Sequence, residues 1–282
     1  MIKKIIHIAD IHIRTFRMHD EYKEIFTSFI EDVKIKINGY KYDEIRIAVL
    51  GDLVHQKITI SNEQLLLSCW FLNELSLIGK VIIIAGNHDL LENNKDRLDS
   101  ISPMIKLLNN KNISYYKDSS CFLDDNIVWC NYSIFNNNQR PDIDKYKEIF
   151  GKDKTYIGLF HGPINGLVTD LGYKFTNSTQ LDVFKGCDMV LCGDIHKRSE
   201  LNYIENLKEN GEKIKKVIPI VFSGSLIQQN YGETVSKHGY LIWDVENRAF
   251  SEHNINTRYG FYKLKINTID DIYSESEILV NE

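Results

Sequence analysis

Short, nearly unbroken apolar runs alternate along this chain with longer segments of helical period. Residues 2–9, Arg46-Ile-Ala-Val-Leu50, Val81-Ile-Ile-Ile-Ala85, Thr155-Tyr-Ile-Gly-Leu-Phe160 and Asp188-Met-Val-Leu-Cys192 are of strand length. Their apolar positions follow one another with little polar interruption, as in strands covered on both faces in a parallel sheet. Segments 20–37, 61–78, 97–109 and 142–150 predict helices. Ser61-Asn-Glu-Gln64 reads as a capping box opening the second helix, with Gly79 as its stop, and Pro103 is tolerated near the start of the third. Shorter strands are expected at 113–116, and at 120–124 and 127–132 across the turn Asp124-Asp125-Asn126. A loop to about Asn177 and a short helix to Lys185 precede the run at 188. Segments 216–222, 239–244, 248–256 and 260–266 predict a more antiparallel group, and the acidic last dozen residues give a weak case for order.

Strands alternating with helices predict a layered α/β fold. With no repeat, low-complexity linker or clear break before residue 245, residues 1–245 read as one core and 246–282 as a C-terminal extension. The 282 residues are 43% hydrophobic and 26% charged, ordinary for a soluble domain with a sizeable core. No apolar run reaches the roughly 18 residues that suggest a membrane span, and Met1–Ala9 reads as a first strand, not a signal peptide. Cysteines 69, 121, 130, 187 and 192 include no C-x-x-C pair and fit reduced thiols in a cytoplasmic compartment, or the host cytoplasm for a viral protein. A net charge of −5 argues against non-specific gripping of nucleic acid, yet allows a local basic rim.

Five of the strand runs end in polar clusters: Asp10/His12, Asp52/His55, Asn87/His88/Asp89, His161 and Asp194/His196. Each alone reads as a polar loop after a buried strand. Together they take five of the chain's nine histidines to the sheet edge where α/β proteins bind ligands. Glycine adjoins four of the clusters, with Gly86 expected to let the backbone turn sharply. Carboxylates, imidazoles and an amide suit a pair of divalent cations, with one carboxylate bridging ions about 3.5–4 Å apart. Asp10 and His12, two apart on a strand, are expected to point to one face and share an ion. The other histidines have simpler readings, His7 as a packed core residue and His19, His238 and His253 as surface or strand residues. Cys187 and Cys192 read as small core residues.

The order D-x-H, G-D-x-x-H, G-N-H-D, H-G and a final G-x-x-H, spanning residues 5 to about 245, resembles the calcineurin-like metallophosphoesterases. The resemblance implies two mixed β-sheets flanked by helices. It assigns Asp10, His12 and His196 to one metal, Asn87, His161 and Asp194 to the other, and Asp52 to a bridge. His88 would stabilise or protonate the leaving oxygen, with Asp89 orienting its ring. The family's last motif is usually Gly-His-x-His; here Gly193-Asp194-Ile-His196 replaces an imidazole with a carboxylate, which favours manganese or magnesium over iron or zinc. His55 and the segments Ser223–Glu233 and His238–Trp243 resemble SbcD-type DNA repair exonucleases, in which the matching histidine helps seat the DNA phosphate. That likeness implies DNA as substrate and an SMC-type ATPase subunit as partner. The apolar residues of helix 61–78 exceed one face, which fits a homodimer through that helix, as relatives form, and equally deep burial within the monomer. A phosphomonoesterase or cyclic-nucleotide phosphodiesterase is the alternative, and a non-catalytic metal-site scaffold a third reading. Arg14, Arg17, Lys57, Lys95, Arg97, Lys197 and Arg198 flank the motifs and are candidates for a basic rim.

Overall fold

The computed structural model describes residues 1–136, 139–169, 172–209, 212–262 and 268–270. In chain order the elements are β1 (Lys4–Ile8), α1 (His19–Lys36), β2 (Ile45–Leu50), α2 (Asn62–Ser76), β3 (Lys80–Ile84), α3 (Ile101–Leu108), β4 (Ile113–Tyr115), β5 (Ser120–Asp124), β6 (Ile127–Tyr132), α4 (Ile143–Phe150), β7 (Thr155–His161), β8 (Met189–Gly193), β9 (Ser199–Glu209), β10 (Glu212–Phe222), β11 (Gly239–Asp244) and β12 (Ala249–Asn254). They form two mixed six-stranded sheets, ordered β12-β11-β1-β2-β3-β4 and β5-β6-β7-β8-β10-β9. β1 to β4 are parallel, as are β6, β7, β8 and β10, while β11 and β12 in the first sheet and β5 and β9 in the second pair antiparallel.

The unbroken apolar runs follow from burial on both faces. Ile5, Ala48, Leu50, Ile82 and Ile84 face inward against Trp129, Ile157, Leu159 and Leu191 of the second sheet. Alternate residues Ile6, Ile8, Ile47, Val49 and Ile83 face outward against Phe26 and Phe29 of α1, Phe71 of α2 and Met104 of α3. The second sheet covers its outer face with Ile143 of α4 and Phe184. The result is a helix–sheet–sheet–helix sandwich in which parallel strands of both sheets end at one edge. Arg46 on β2 ties the sheets, with Nε 2.7 Å and Nη2 2.8 Å from the two oxygens of Asp124.

Several expectations need correction. Segment 199–209 was not expected to be a strand; it is β9, paired along its whole length with β10. α3 begins at 101 and not 97, because the Asp99 carboxylate accepts the Ile101 and Ser102 N–H groups and caps the helix there. Only half of the capping box forms. Ser61 Oγ accepts from Gln64 N, but the Gln64 amide donates to the Ile13 carbonyl, tying α2 to the loop after β1. Residues 260–262 are not strand, and 263–266 lie outside the described residues. The expected division at 245 falls between β11 and β12, which pair over six residues. On α2, Leu67, Phe71, Leu72 and Leu75 are buried while Leu66, and Leu77 at the C-cap, are exposed. No described helix is long and apolar enough to cross a membrane.

His7 is the core histidine its position predicts. Its Nε2–H donates to the Cys192 carbonyl at 3.1 Å, and Nδ1 accepts from Trp243 at 3.4 Å. Burial pushes its pKa down to about 3. Below its unfolded value of about 6.5, the unfolded chain therefore takes up a proton that the folded chain refuses. Stability should fall with pH through that window, by up to about 1.4 kcal/mol per pH unit from this group. His7→Gln, which keeps the N–H but does not titrate, should flatten the fall of the urea midpoint between pH 6 and pH 4 relative to wild type. Parallel profiles would contradict this.

Candidate metal centre

The cluster residues meet at the shared edge, but the backbone brings them there by a different route from strand alternation. β1 has ended before Asp10. Asp10, His12, Asp52 and Asp194 all hold left-handed backbone, with φ of 53°, 51°, 54° and 94°. Asp and His tolerate this region better than most residues, yet each such residue costs about 1–3 kcal/mol unless its surroundings enforce it. Here they do. The carbonyls of Asp10 and Ile11 accept from the Gln229 amide, and that of His12 accepts from Tyr22 Oη at 2.7 Å. The Ile13 carbonyl accepts from His55 N, that of Arg14 from the His19 ring, and that of Thr15 from Ser61. A loop clamped at six consecutive carbonyls presents its side chains rigidly.

Glycines clear the space between strand ends. A Cβ on Gly86 would strike Asp52 Oδ1 and lie 2.6 Å from His161 Cε1; one on Gly51 would strike His161 Nδ1. Gly86 has no positive φ; the chain turns there, with Asp89 N–H donating to the Gly86 carbonyl at 3.1 Å, and a side chain at this position would collide with the Asp52 carboxylate.

Two donor sets result. Asp10, His12 and His196 bring one ligand atom each within 4.8 Å of one another, with the two Nε2 atoms 3.1 Å apart. Around His161 Nε2 lie Asn87 Oδ1 at 3.2 Å, Asp52 Oδ1 at 3.5 Å and Asp194 Oδ1 at 3.8 Å. Asp52 faces both sets, because its other oxygen lies 3.4 Å from His12 Nε2. Hydrogen bonds fix the imidazoles for this task. His161 Nδ1–H donates to the Leu50 carbonyl at 2.7 Å, and His196 Nδ1–H to Glu233 Oε1 at 2.7 Å, leaving each Nε2 lone pair to the centre.

Three carboxylates this close, Asp10 and Asp52 buried and Asp194 half-buried, repel one another unless positive charge lies between them. Burial pushes Asp10 up to about 7 and raises Asp194. Burial opposes ionisation of Asp52 too, but the adjoining His161 and His12 imidazoles hold it below the usual carboxylate range. His196 is drawn up to about 9 by Glu233 and Asp10 against its burial. Oxygen and imidazole donors in two sets sharing a carboxylate fit a cation pair.

Comparison with known proteins agrees with the geometry. The sequence profile described as calcineurin-like phosphoesterase matches residues 3–198, a span that contains every donor from Asp10 to His196. The chain belongs to the calcineurin-like phosphoesterases. It is also similar to uncharacterized protein R555 of Acanthamoeba polyphaga mimivirus, at 35% identity over 283 residues. That alignment covers 98% of this chain and 20% of R555, so the chain spans about one-fifth of that relative's length.

In this phosphoesterase the remaining site residues divide. The His88 ring lines the cavity beside the donors, but Asp89 does not orient it. Asp89 accepts from Gly86 N at 2.9 Å and Val54 N at 3.1 Å, buttressing the turn, while His88 Nδ1–H donates to the His55 carbonyl at 2.7 Å. His55 stacks on His88 with centroids 5.2 Å apart, and its Nδ1 lies 3.3 Å from His12 Nδ1. His12, His55 and His88 thereby form a third close group of ring nitrogens. Of the rim candidates, Arg14, Lys95 and Lys197 line cavities at the centre, whereas Lys57 pairs with Glu92 and Arg198 bonds β12. His238 is buried, bonded to Ser225 Oγ and the Thr234 carbonyl, and is not the surface residue expected.

Glu233, Gln229 and Tyr22 were not foreseen as site residues, since none lies at a strand end. Glu233→Gln should weaken divalent-cation binding by about 10–100-fold, the usual cost of losing a carboxylate behind a ligating histidine. Manganese titration of the purified protein reads this, and unchanged affinity would remove Glu233 from the site.

Proposed function

We propose that this phosphoesterase hydrolyses phosphodiesters in DNA. The observation that carries the reading is the shape around Asp194. Cavities of about 440, 300 and 320 Å³ all include Asp194 in their walls, so three depressions adjoin at the centre. A polymer passing across the donors would use all three, whereas a phosphomonoester needs one. Their linings differ as a nucleotide chain requires: Phe175, Pro163 and Ile195 in the first, Lys95 and Arg140 in the second, and His55 and His88 in the third. His55, held against His88, supports the exonuclease likeness.

Divalent cations held by Asp10, His12 and His196 and by Asn87, His161 and Asp194, with Asp52 between, would supply Lewis acidity and an activated water for in-line displacement. The chain's own residues do the rest. Asp52 fixes the spacing of the two sets. His88, with Nδ1–H committed to the His55 carbonyl, has Nε2 left to carry a proton to the departing ester oxygen. No side chain is required as a covalent nucleophile. Manganese is the favoured cation because Asp194 adds a hard oxygen donor. Association with an SMC-type ATPase, and self-association through exposed Leu66 of α2 and Leu77 at its C-cap, belong to the same reading.

Purified protein with manganese should degrade linear duplex or single-stranded DNA. Turnover of p-nitrophenyl or cyclic-nucleotide esters alone would contradict the reading and favour the small-ester alternative.

A further inference from the structure

We propose that Arg14 is the phosphate-binding cation of this site, its guanidinium taking non-bridging oxygens of the ester on the His55–His88 side of the donors. The inference rests on the phosphoesterase reading for the chemistry of its ligand, but not on DNA as the substrate.

Arg14 is only 8% exposed, and its environment lacks the anion that a buried arginine requires. Nη2 donates to the Gln229 carbonyl at 2.8 Å, Nε is buried with no partner, and no carboxylate pairs with it among the described residues. Arg46 provides an internal control. It is equally buried, and its guanidinium is met by both oxygens of Asp124. Arg14 instead lines the cavity of about 320 Å³ that His12, Asp52, His55, His88 and His196 also line. The missing partner therefore belongs to whatever enters that cavity.

Geometry makes the ligand an oxyanion. A guanidinium is a planar fork of N–H donors matched to phosphate oxygens, and it stays charged throughout the accessible pH range. Its position is fixed, because its carbonyl is bound by the His19 ring at 2.7 Å and its Nη2 by Gln229. Asp10, Asp52 and Asp194 make the other side of the centre negative, so a phosphate arriving over the donors meets a fixed positive side chain on the Arg14 side. This role differs from that of His88, which handles the departing oxygen.

The test uses the full chain loaded with manganese, with inorganic phosphate as the probe, titrated calorimetrically and as a competitive inhibitor. Arg14→Met keeps the bulk and loses the charge; phosphate affinity should fall about tenfold or more, the usual size of a lost charge-assisted hydrogen bond. Manganese content should stay at the wild-type value. Arg14→Lys keeps the charge without the fork and should fall in between; it carries the test alone if Arg14→Met does not fold. Unchanged phosphate affinity in the variants would overturn the proposal. So would loss of manganese together with phosphate, which would assign Arg14 to the scaffold. A wild-type protein that binds phosphate through Arg14 but leaves DNA intact would sustain this proposal and overturn the DNA reading.

Discussion

Asp52→Asn is expected to reduce bound divalent cation from two per chain to at most one, and to lower phosphodiester hydrolysis by roughly 10³-fold or more, the scale of losing several kcal/mol of charge stabilisation. The substitution is close to isosteric, and asparagine accepts the left-handed backbone found at this position, where φ is 54°. Its remaining oxygen can still accept from His88 N, as Asp52 Oδ1 does at 2.8 Å. What it cannot do is present an oxygen to both His12 and His161, because one side of the amide is now an N–H donor. The cation-free protein should also lose some stability at neutral pH, because the His161 and His12 imidazoles hold the Asp52 carboxylate ionised and an amide does not replace that attraction. Loss of a cation site in a variant that still unfolds cooperatively is therefore the expected combination. A variant that still binds two manganese ions would remove Asp52 from the bridge.

The second large effect is at His88. His88→Ala should lower kcat by roughly 10²–10⁴-fold, the range for a positioned general acid, and leave cation content unchanged. The loss should depend on the leaving group. A p-nitrophenolate departs without a proton and should be affected little, whereas the alkoxide of a nucleotide needs one and should show the full loss. Equal losses on both esters would mean that His88 stabilises charge without transferring a proton. Loss of cation would make it a ligand.

How far the sequence reached can be judged strand by strand. The buried runs ending at Ile8, Leu50, Ile84, His161 and Gly193 were legible because each faces two apolar layers and carries no competing periodicity. The donors that follow them were legible for a related reason, since polar residues directly after a buried strand must lie at the sheet edge. What happens beyond that edge was not. Asp10 and His12 do converge, but through left-handed backbone clamped by Gln229, Tyr22 and Ser61, partners that are distant in sequence. In the sequence alone Asp89 reads as the partner of the His88 ring it follows, yet its oxygens are taken by the Gly86 and Val54 amides. β9 escaped because a polar, half-exposed edge strand has only β10 to define it. Arg14 was legible only as one of seven rim candidates and Glu233 not at all, because only burial and partners separate such loop residues from solvated charges.

The most direct measurement of the central claim is anomalous diffraction at the manganese edge from crystals of the protein grown or soaked with that ion. Two peaks about 3.5–4 Å apart are expected, one on each side of the Asp52 carboxylate. One should be ligated by Asp10, His12 and His196, and the other by Asn87, His161 and Asp194. A single peak, or ions held only by His12, His55 and His88 with none at His161, would contradict it.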